Sequence, residues 1–223
     1  MRLESKKVKF AGDHGENGHS SDEVLASIGV AAKDVDAIIL THLHWDHASG
    51  LTCFPNAHVY VQKQEFFKWI EAWSKPACFG ALRTNTDPED LKALIDCAVQ
   101  GRLTLLDGDC DNILGGVHVR LAPMVHSFAL QAVLIDTAAG TYIMAADICM
   151  RPENLTGTAE APGFYPNVKF SVGSSYEQAL FYEKLLEWAD GDVSRIIMTH
   201  DGTRISRYRT EESILGLRHS YIL

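Results

Sequence analysis

Six consecutive residues combine three histidines with one aspartate, and they carry the strongest chemical signal in the sequence. Residues 42–47 read HLHWDH and directly follow a short apolar run. A turn at the end of a strand directs alternate side chains apart, so His42 and His44 can reach one cation. Asp46 and His47 can then reach a neighbouring one. Imidazole nitrogen and carboxylate oxygen both suit zinc, and three protein ligands per ion leave a position open for water.

The elements that must position this segment alternate between helix and strand. Ser20 with Glu23, and again Ser174 with Glu177, have the capping-box spacing of a helix start. Asp87 before a proline marks another helix start. Apolar patterns then predict helices over residues 20–28, 62–73, 88–101 and 174–189, and strands over residues 36–40, 59–61, 103–106, 117–121, 132–136, 141–145 and 195–199. This pattern is typical of an α/β protein with its chemically interesting residues at strand ends.

The HLHWDH segment resembles the HxHxDH motif of the metallo-β-lactamase superfamily, and the resemblance extends from about residue 30 to the C-terminus. In that family one further histidine completes the first metal site, an aspartate bridges both metals, and a last histidine completes the second. The matching residues are His126, Asp147 and His200. The resemblance therefore implies two zinc ions per chain and seven ligands, which are His42, His44, Asp46, His47, His126, Asp147 and His200.

The sequence around the last three ligands supports their assignment. Asp147 follows an apolar strand, where an unpaired carboxylate is costly, so it needs a partner or a cation. His126 follows a strand and a proline, and His200 follows four apolar or small residues. The remaining histidines have no ligand partners at a recognisable spacing, and we expect them to be solvated or hydrogen-bonded: His14, His19, His58, His118 and His219.

Two positions near the ligands depart from the family pattern. Met124 and the valine after it replace a glycine that the family has before the histidine of this turn, so the path of the turn should differ. Lactonases of the family place a tyrosine three residues after the bridging aspartate, where Met150 stands here. Tyr165 and Tyr176 lie further along the chain, and we expect both to be structural.

Other residues near the motif are expected to support the site. Asp201 is expected to orient a ligand imidazole, and Cys149 to be a buried structural thiol. The stretch between His47 and His126 is rich in aromatic residues, which has two interpretations. The aromatic side chains either form a wall over the metals that holds an apolar substrate, or pack a helix onto the body of the protein.

The outer features are most similar to the lactonase branch of the superfamily, which opens acyl-homoserine lactones and 4-pyridoxolactone. These features lie at residues 33–36, 61–63, 106–109 and 200–201. The resemblance implies a metal-dependent hydrolase in which a hydroxide held between two zinc ions attacks the carbonyl of a lactone or related ester. In this hypothesis Asp147 bridges the ions, and Asp46 can carry a proton to the leaving oxygen.

Two other functions stay open. Thioester hydrolysis of the glyoxalase II type uses the same ligands, but that branch normally has a basic helical region after the last one, and this chain ends soon after His200. A metal-binding homologue without catalytic activity is the second. Cleavage of RNA is disfavoured by the net charge of −9.

The resemblance also implies the architecture. We expect one α/β domain over residues 1–223, folded as an αββα sandwich, with a helical insertion near residues 62–101. Family members usually have several strands before the first motif, whereas 41 residues precede it here, so we expect an abbreviated N-terminal half. Residues 10–15 are a candidate remnant of that half. A partner subunit could cover an exposed sheet edge, which leaves a homodimer open.

The composition restricts the partners. The chain has 223 residues with 29 acidic and 20 basic side chains, a balance that argues against nucleic acid held by phosphate contacts. Its five cysteines include no CxxC pair, which is typical of reduced thiols. No stretch reaches the roughly 18 apolar residues that span a bilayer. We therefore expect a cytoplasmic protein that acts on a small-molecule ester or lactone, without nucleic acid or membrane.

Overall fold

The computed structural model describes residues 18–167, 172–203 and 207–221. Its helices are α1 (Ser21–Ala26), α2 (Trp45–Ala48), α3 (Lys63–Ser74), α4 (Pro88–Val99), α5 (Pro152–Thr156) and α6 (Ser175–Trp188). Its strands are β1 (Ala37–Ile39), β2 (His58–Gln62), β3 (Leu103–Leu106), β4 (Cys110–Leu114), β5 (Val117–Pro123), β6 (Ala129–Thr137), β7 (Gly140–Ala146), β8 (Ile196–Met198), β9 (Arg209–Glu212) and β10 (Arg218–Tyr221). A longer 3₁₀ segment, Ala77–Arg83, connects α3 to α4.

The strands form two sheets and one hairpin. Strands β1, β2 and β3 form a parallel sheet in that order. Strands β4 to β8 form a five-stranded sheet in sequence order. Its pairs are antiparallel except β7 with β8, which is parallel. Because β6 runs against both of its neighbours, β5, β7 and β8 all end at the same edge of this sheet.

Helices cover the outer face of each sheet, so the molecule has four layers. Trp69 of α3 and Leu94 of α4 pack with Val61 of β2 in one apolar cluster. Leu185 of α6 packs with Ile143 of β7 in a second. A third cluster joins residues of both sheets, including Leu106, Val119, Val133, Tyr60 and Met144. The predicted αββα sandwich is confirmed.

A pair of buried glutamines connects the two sheets close to the HLHWDH turn. Gln62, the last residue of β2, donates a hydrogen bond from Nε2 to Oε1 of Gln131 on β6, at 2.8 Å. The Nε2 atom of Gln131 donates to the carbonyl oxygen of Leu40, at 2.8 Å, and its backbone amide donates to the carbonyl oxygen of Thr41. The turn after β1 is thereby tied to the opposite sheet.

Most predicted elements are present with bounds shifted by a few residues. Asp87 accepts a hydrogen bond from the backbone nitrogen of Glu89 at 2.9 Å, as expected of the residue that caps α4. Ser20 donates its backbone N–H to the Glu23 carboxylate at the start of α1. Helices α2 and α5, strand β4 and the β9–β10 hairpin were not predicted from the sequence.

Some expectations concern residues outside the described ranges. The candidate remnant at residues 10–15 lies there, and so does His14.

Across the residues that the structure describes, no helix combines the length and the apolar character needed to cross a membrane.

Candidate metal centre

The turn after β1 carries four of the predicted site residues. His42 lies three residues beyond β1, and His44 is the residue that precedes α2. Asp46 and His47 belong to α2 itself, which has four residues. Leu43 is buried in the apolar cluster beneath α3, and the rings of His42 and His44 on either side of it have centroids 4.5 Å apart. The buried leucine fixes the turn while the imidazoles line the site.

The other three residues come from one edge of the five-stranded sheet. His126 lies in the turn after β5, Asp147 directly follows β7, and His200 is two residues beyond β8. These strands end at the same edge, so their following residues meet there. The structure thus brings all seven predicted residues to one place between the two sheets.

The seven side chains form two groups of potential metal ligands. One ligand atom from each member of the first group lies within 4.8 Å of the others, and that group is His42, His44, His126 and Asp147. The same limit holds for the second group, which is Asp46, His47 and His200. The first group is buried, whereas the second is more accessible, with Asp46 and His47 partly buried and His200 exposed.

The carboxylate of Asp147 faces both groups. Its Oδ2 atom lies 3.1 Å from Nε2 of His126, in the first group. Its Oδ1 atom lies 3.2 Å from Nε2 of His47 and 3.3 Å from Nε2 of His200, in the second. A carboxylate with one oxygen toward each group has the geometry needed to bridge two cations.

The donor set fits divalent metal ions. Nδ1 of His44 and Nε2 of His126 lie 3.0 Å apart, close to the roughly 3.3 Å expected for two nitrogens bound tetrahedrally to one zinc. Nε2 of His42 is buried and has no hydrogen-bond partner among the described residues. A buried polar atom normally has a partner, and a cation would supply one here. The residues that could hold metals are therefore the seven that the sequence predicted.

The pKa shifts of three buried candidate ligands favour the protonation states that metal binding requires, whereas the hydrogen bond to Asp147 raises the pKa of His200. Burial, followed by the neighbouring imidazoles, lowers the pKa of His42 well below its usual value and lowers the pKa of His44 to about 3. Burial alone would raise the pKa of Asp147, but hydrogen bonds from three imidazoles outweigh it and hold that pKa far below its usual range. Neutral imidazoles beside an ionised carboxylate are the forms that bind a cation.

Three polar residues that the sequence analysis missed hold Asp147 in place. Thr199 donates from Oγ1 to Oδ1 of the aspartate at 3.0 Å. The side-chain nitrogens of Gln178 and Asn167 donate to its backbone carbonyl oxygen, at 3.2 and 3.3 Å. Thr199 directly precedes His200, which is the one signal in the sequence that could have indicated its role.

The turn that carries His126 adopts an unusual backbone conformation. Met124 has φ of +55°, in the left-handed region that favours glycine. Met124, one of the two residues that stand in place of the family glycine, thus adopts a backbone conformation that glycine favours. The backbone N–H of Ser174 donates to the carbonyl oxygen of Met124 at 2.6 Å and helps to hold it.

The position of the family tyrosine has a different environment. Met150 is partly buried, and its backbone N–H donates to Oδ1 of Asn154 at 3.2 Å. Tyr165 is joined to Asn154 by two hydrogen bonds through its backbone. Tyr176 is 71% exposed in the first turn of α6.

The other residues discussed near the site make the following contacts. Asp201 accepts hydrogen bonds from the backbone nitrogen and the hydroxyl of Thr203, which order the turn after His200. Cys149 is fully buried, as expected of a structural thiol. Four of the other histidines have polar partners, as expected: His19, His58, His118 and His219.

The buried residues of the aromatic stretch follow the second interpretation, in which they pack a helix onto the body of the protein. Phe66 and Trp69 on α3 are buried in the apolar cluster over the parallel sheet, so they pack the helix. The ring of Trp69 also contacts the rings of His44 and Phe128, with centroids 5.9 and 4.8 Å away. Phe67 and Phe79 are about half exposed, at 50% and 43%.

A comparison with protein families agrees with the motif and the fold. The Metallo-beta-lactamase superfamily model matches residues 4–63, which include the HLHWDH turn. The match marks a domain similar to the metallo-beta-lactamase superfamily, and the four-layer sandwich is the metallo-beta-lactamase fold. Curated proteins similar to this domain include an N-acyl homoserine lactonase of Bacillus cereus, 23% identical over 175 residues, which cover 77% of this chain and 62% of that protein.

Solved structures with the metallo-beta-lactamase fold superpose on the chain. A variant of AiiA from B. thuringiensis with N-decanoyl-L-homoserine bound at its active site has a TM-score of 0.61 at 23% identity, covering 84% of this chain and 64% of that one. AidC, a dizinc quorum-quenching lactonase in complex with a product, has a TM-score of 0.57 at 21% identity, covering 78% and 60%. The chain thus spans somewhat less than two thirds of the length of these relatives.

Proposed function

We propose that the protein is a metal-dependent hydrolase that holds two zinc ions and opens a lactone or a related ester. The observation that carries this proposal is the position of Asp147, whose two oxygens face separate groups of histidines 3.1 to 3.3 Å away. The names of the relatives, N-acyl homoserine lactonases, support a lactone as the substrate.

In this proposal, the buried histidines and Asp147 have different roles. Two bound cations would lower the pKa of a water molecule and polarise a carbonyl oxygen. The buried imidazoles of His42, His44 and His126 offer nitrogen ligands in a dry environment, and burial lowers the pKa values of His42 and His44, which favours their neutral forms. Asp147 holds its two oxygens toward the two groups and, being ionised, offsets part of the positive charge.

Asp46 is placed to move a proton. Its Oδ2 atom lies 3.6 Å from Nε2 of His47 and 3.9 Å from Nε2 of His200, and its side chain is 30% exposed. A carboxylate that borders both the ligand group and the solvent could accept the proton that the attacking water gives up. It would then pass this proton to the leaving oxygen of the opened ring.

Metal analysis followed by substrate assays tests the proposal. Protein purified without added zinc should contain about two metal ions per chain and should hydrolyse members of an acyl-homoserine lactone panel. Chelator-treated protein serves as the control and should be inactive until zinc is restored. Hydrolysis of glutathione thioesters in place of lactones would support the glyoxalase II type of activity. Two metals without turnover of any ester would indicate a non-catalytic homologue.

A further inference from the structure

A second carboxylate is buried beside the metal centre and is not among its ligands. Glu65 lies in the first turn of α3 and has no solvent exposure. Four donors surround it. Its Oε1 atom accepts hydrogen bonds from the backbone nitrogen of Leu43 at 3.0 Å, from Nε1 of Trp69 at 2.8 Å and from Oγ of Ser127 at 2.5 Å. Its Oε2 atom accepts one from the backbone nitrogen of Ala129 at 2.6 Å.

Two of these donors belong to the turns that carry the three histidines of the first group, and Ala129 begins the strand that follows the second turn. Leu43 stands between His42 and His44, and Ser127 follows His126 directly. Glu65 therefore connects a turn on the parallel sheet with a turn on the five-stranded sheet, 22 residues before and 62 to 64 residues after it in the chain. The carboxylate of Glu65 thereby holds these two turns at a fixed distance from each other.

The contacts suit an ionised acceptor and oppose the burial that raises the pKa of Glu65. All four partners present N–H or O–H groups, and a carboxylate can accept from all of them at once, whereas a glutamine cannot. The side chain of Trp69 strengthens the arrangement, because its Nε1 also lies 3.1 Å from Oγ of Ser127 and its ring contacts that of His44. Glu65 and Trp69 are four residues apart and so share one face of α3.

We infer that Glu65 is a positioning residue for the first metal site, and that it holds the turns of His42, His44 and His126 at the spacing that one cation requires. This inference rests on the proposed function in that it deepens the role of the same site. The residue contacts no reacting group. It acts through the backbone of Leu43 and Ala129 and through the hydroxyl of Ser127.

Glu65→Gln is the direct test, because it keeps the shape and replaces one acceptor with a donor. With its oxygen toward the three donors at Oε1, the amide nitrogen would face the N–H of Ala129, and that bond would be lost. Hydrogen exchange in the full chain should then become at least about tenfold faster at the amide of Ala129, which loses its acceptor. Exchange within β7 should keep the wild-type rate.

Metal affinity supplies a second measurement. In a competition titration against a chelator, the variant should bind one zinc about 10–100-fold more weakly, as when the outer contacts of a metal site are removed. The other zinc should bind as in the wild type, because Asp46, His47 and His200 form the second group. Glu71→Gln is the matched control. It removes an exposed carboxylate of the same helix, which pairs with Lys68 and Lys75, and both readouts should be unchanged.

The outcomes distinguish this inference from the proposed function. Wild-type exchange at the Ala129 amide in Glu65→Gln, or an equal loss of affinity at both zinc sites, would overturn the inference. If the wild type binds no zinc, the proposed function fails, and the exchange rate at Ala129 alone decides the role of Glu65. If Glu65→Gln does not fold, Ser127→Ala takes its place, since it breaks the link between Glu65 and the residue after His126 and keeps the carboxylate. Wild-type affinity at both zinc sites in that variant would equally overturn the inference.

Discussion

The Nε2 atom of His126 lies 3.0 Å from the Nδ1 atom of His44, although 82 residues separate the two in the chain. Two imidazole nitrogens at this distance need a proton or a cation between them, because two lone pairs repel. Burial keeps His44 neutral, with its pKa lowered to about 3. A neutral imidazole can supply that proton as one of its tautomers, and a cation bound to both nitrogens can take the proton's place. Zinc binding tests the second arrangement.

Zinc should stabilise the protein against heat. At a free concentration 100 times its dissociation constant, a ligand that binds only the folded chain contributes about 2.7 kcal/mol. For a chain of this size that corresponds to a rise in Tm of roughly 5–10 °C. Differential scanning fluorimetry of chelator-treated protein, with and without zinc, measures the shift. Magnesium prefers oxygen ligands and serves as the control, with a much smaller effect. Equal melting temperatures with and without zinc would contradict the prediction.

Asp147→Asn should lower the metal content and abolish hydrolysis. The amide keeps the shape of the side chain but lacks the charge and one of the two oxygens that face the ligand groups. The loss of activity should exceed the 10–100-fold that is typical of outer contacts. Metal analysis and the lactone assay measure the two effects. Asp136→Asn, at an exposed aspartate bonded to His118 and Thr141, should leave both unchanged. Full activity in Asp147→Asn would remove its assignment as a bridge.

Gln178→Leu should destabilise the fold around Asp147. The fully buried amide donates to the carbonyl oxygens of Asp147 and Ile148 and accepts from the backbone nitrogen of Asn167. Leucine would remove these three buried hydrogen bonds, at a cost of roughly 2–4 kcal/mol, although Nδ2 of Asn167 would still donate to the carbonyl oxygen of Asp147. Urea unfolding measures the change in free energy. Glu183→Gln, at an exposed position of the same helix, should stay within about 0.5 kcal/mol of the wild type. A leucine variant as stable as the wild type would show that these bonds contribute little.

Gly173→Ala should displace the turn that carries His126. A Cβ atom at this glycine would lie 2.8 Å from the carbonyl oxygen of Val125 and 3.1 Å from Cα of His126, and φ is +118°. Strain of this kind costs roughly 1–3 kcal/mol. Thermal unfolding should show the loss of stability, and chelator competition should show weaker zinc binding. Gly115→Ala is the control, because a Cβ there has no atom within 4 Å. Unchanged zinc affinity in Gly173→Ala would mean that the turn adjusts without moving its histidine.

The sequence predicted those elements that have clear start signals or a buried apolar face. Helix α4 has its cap at Asp87 and its proline in the first turn, and it forms where expected. Strand β4 was missed because its sequence contains Asn112, which has φ of +53°, and its pairing with β5 is irregular. The strands Arg209–Glu212 and Arg218–Tyr221 were missed because they are largely exposed and charged, so no apolar alternation marks them.

The convergence of the seven candidate ligands was also predictable, because their spacing matches a known motif. The residues that support them were not. Glu65 and Gln178 are polar residues on helices, and such residues usually face solvent. Only the packing of α3 and α6 against the sheets buries them, and that packing depends on residues far away in the chain. Sequence periodicity carries no information about such contacts.

The division of the centre between two sheets affects how the protein reaches its native state. His42 and His44 follow the parallel sheet, whereas His126, Asp147 and His200 follow the five-stranded one. These contacts join distant parts of the chain, and contacts of that kind form slowly and late. A zinc ion that requires both halves can bind tightly only after the sheets have docked. Metal uptake during refolding would therefore measure the docking of the two sheets, which is the last stage of folding. Zinc would bind the native fold more tightly than its partly folded precursors.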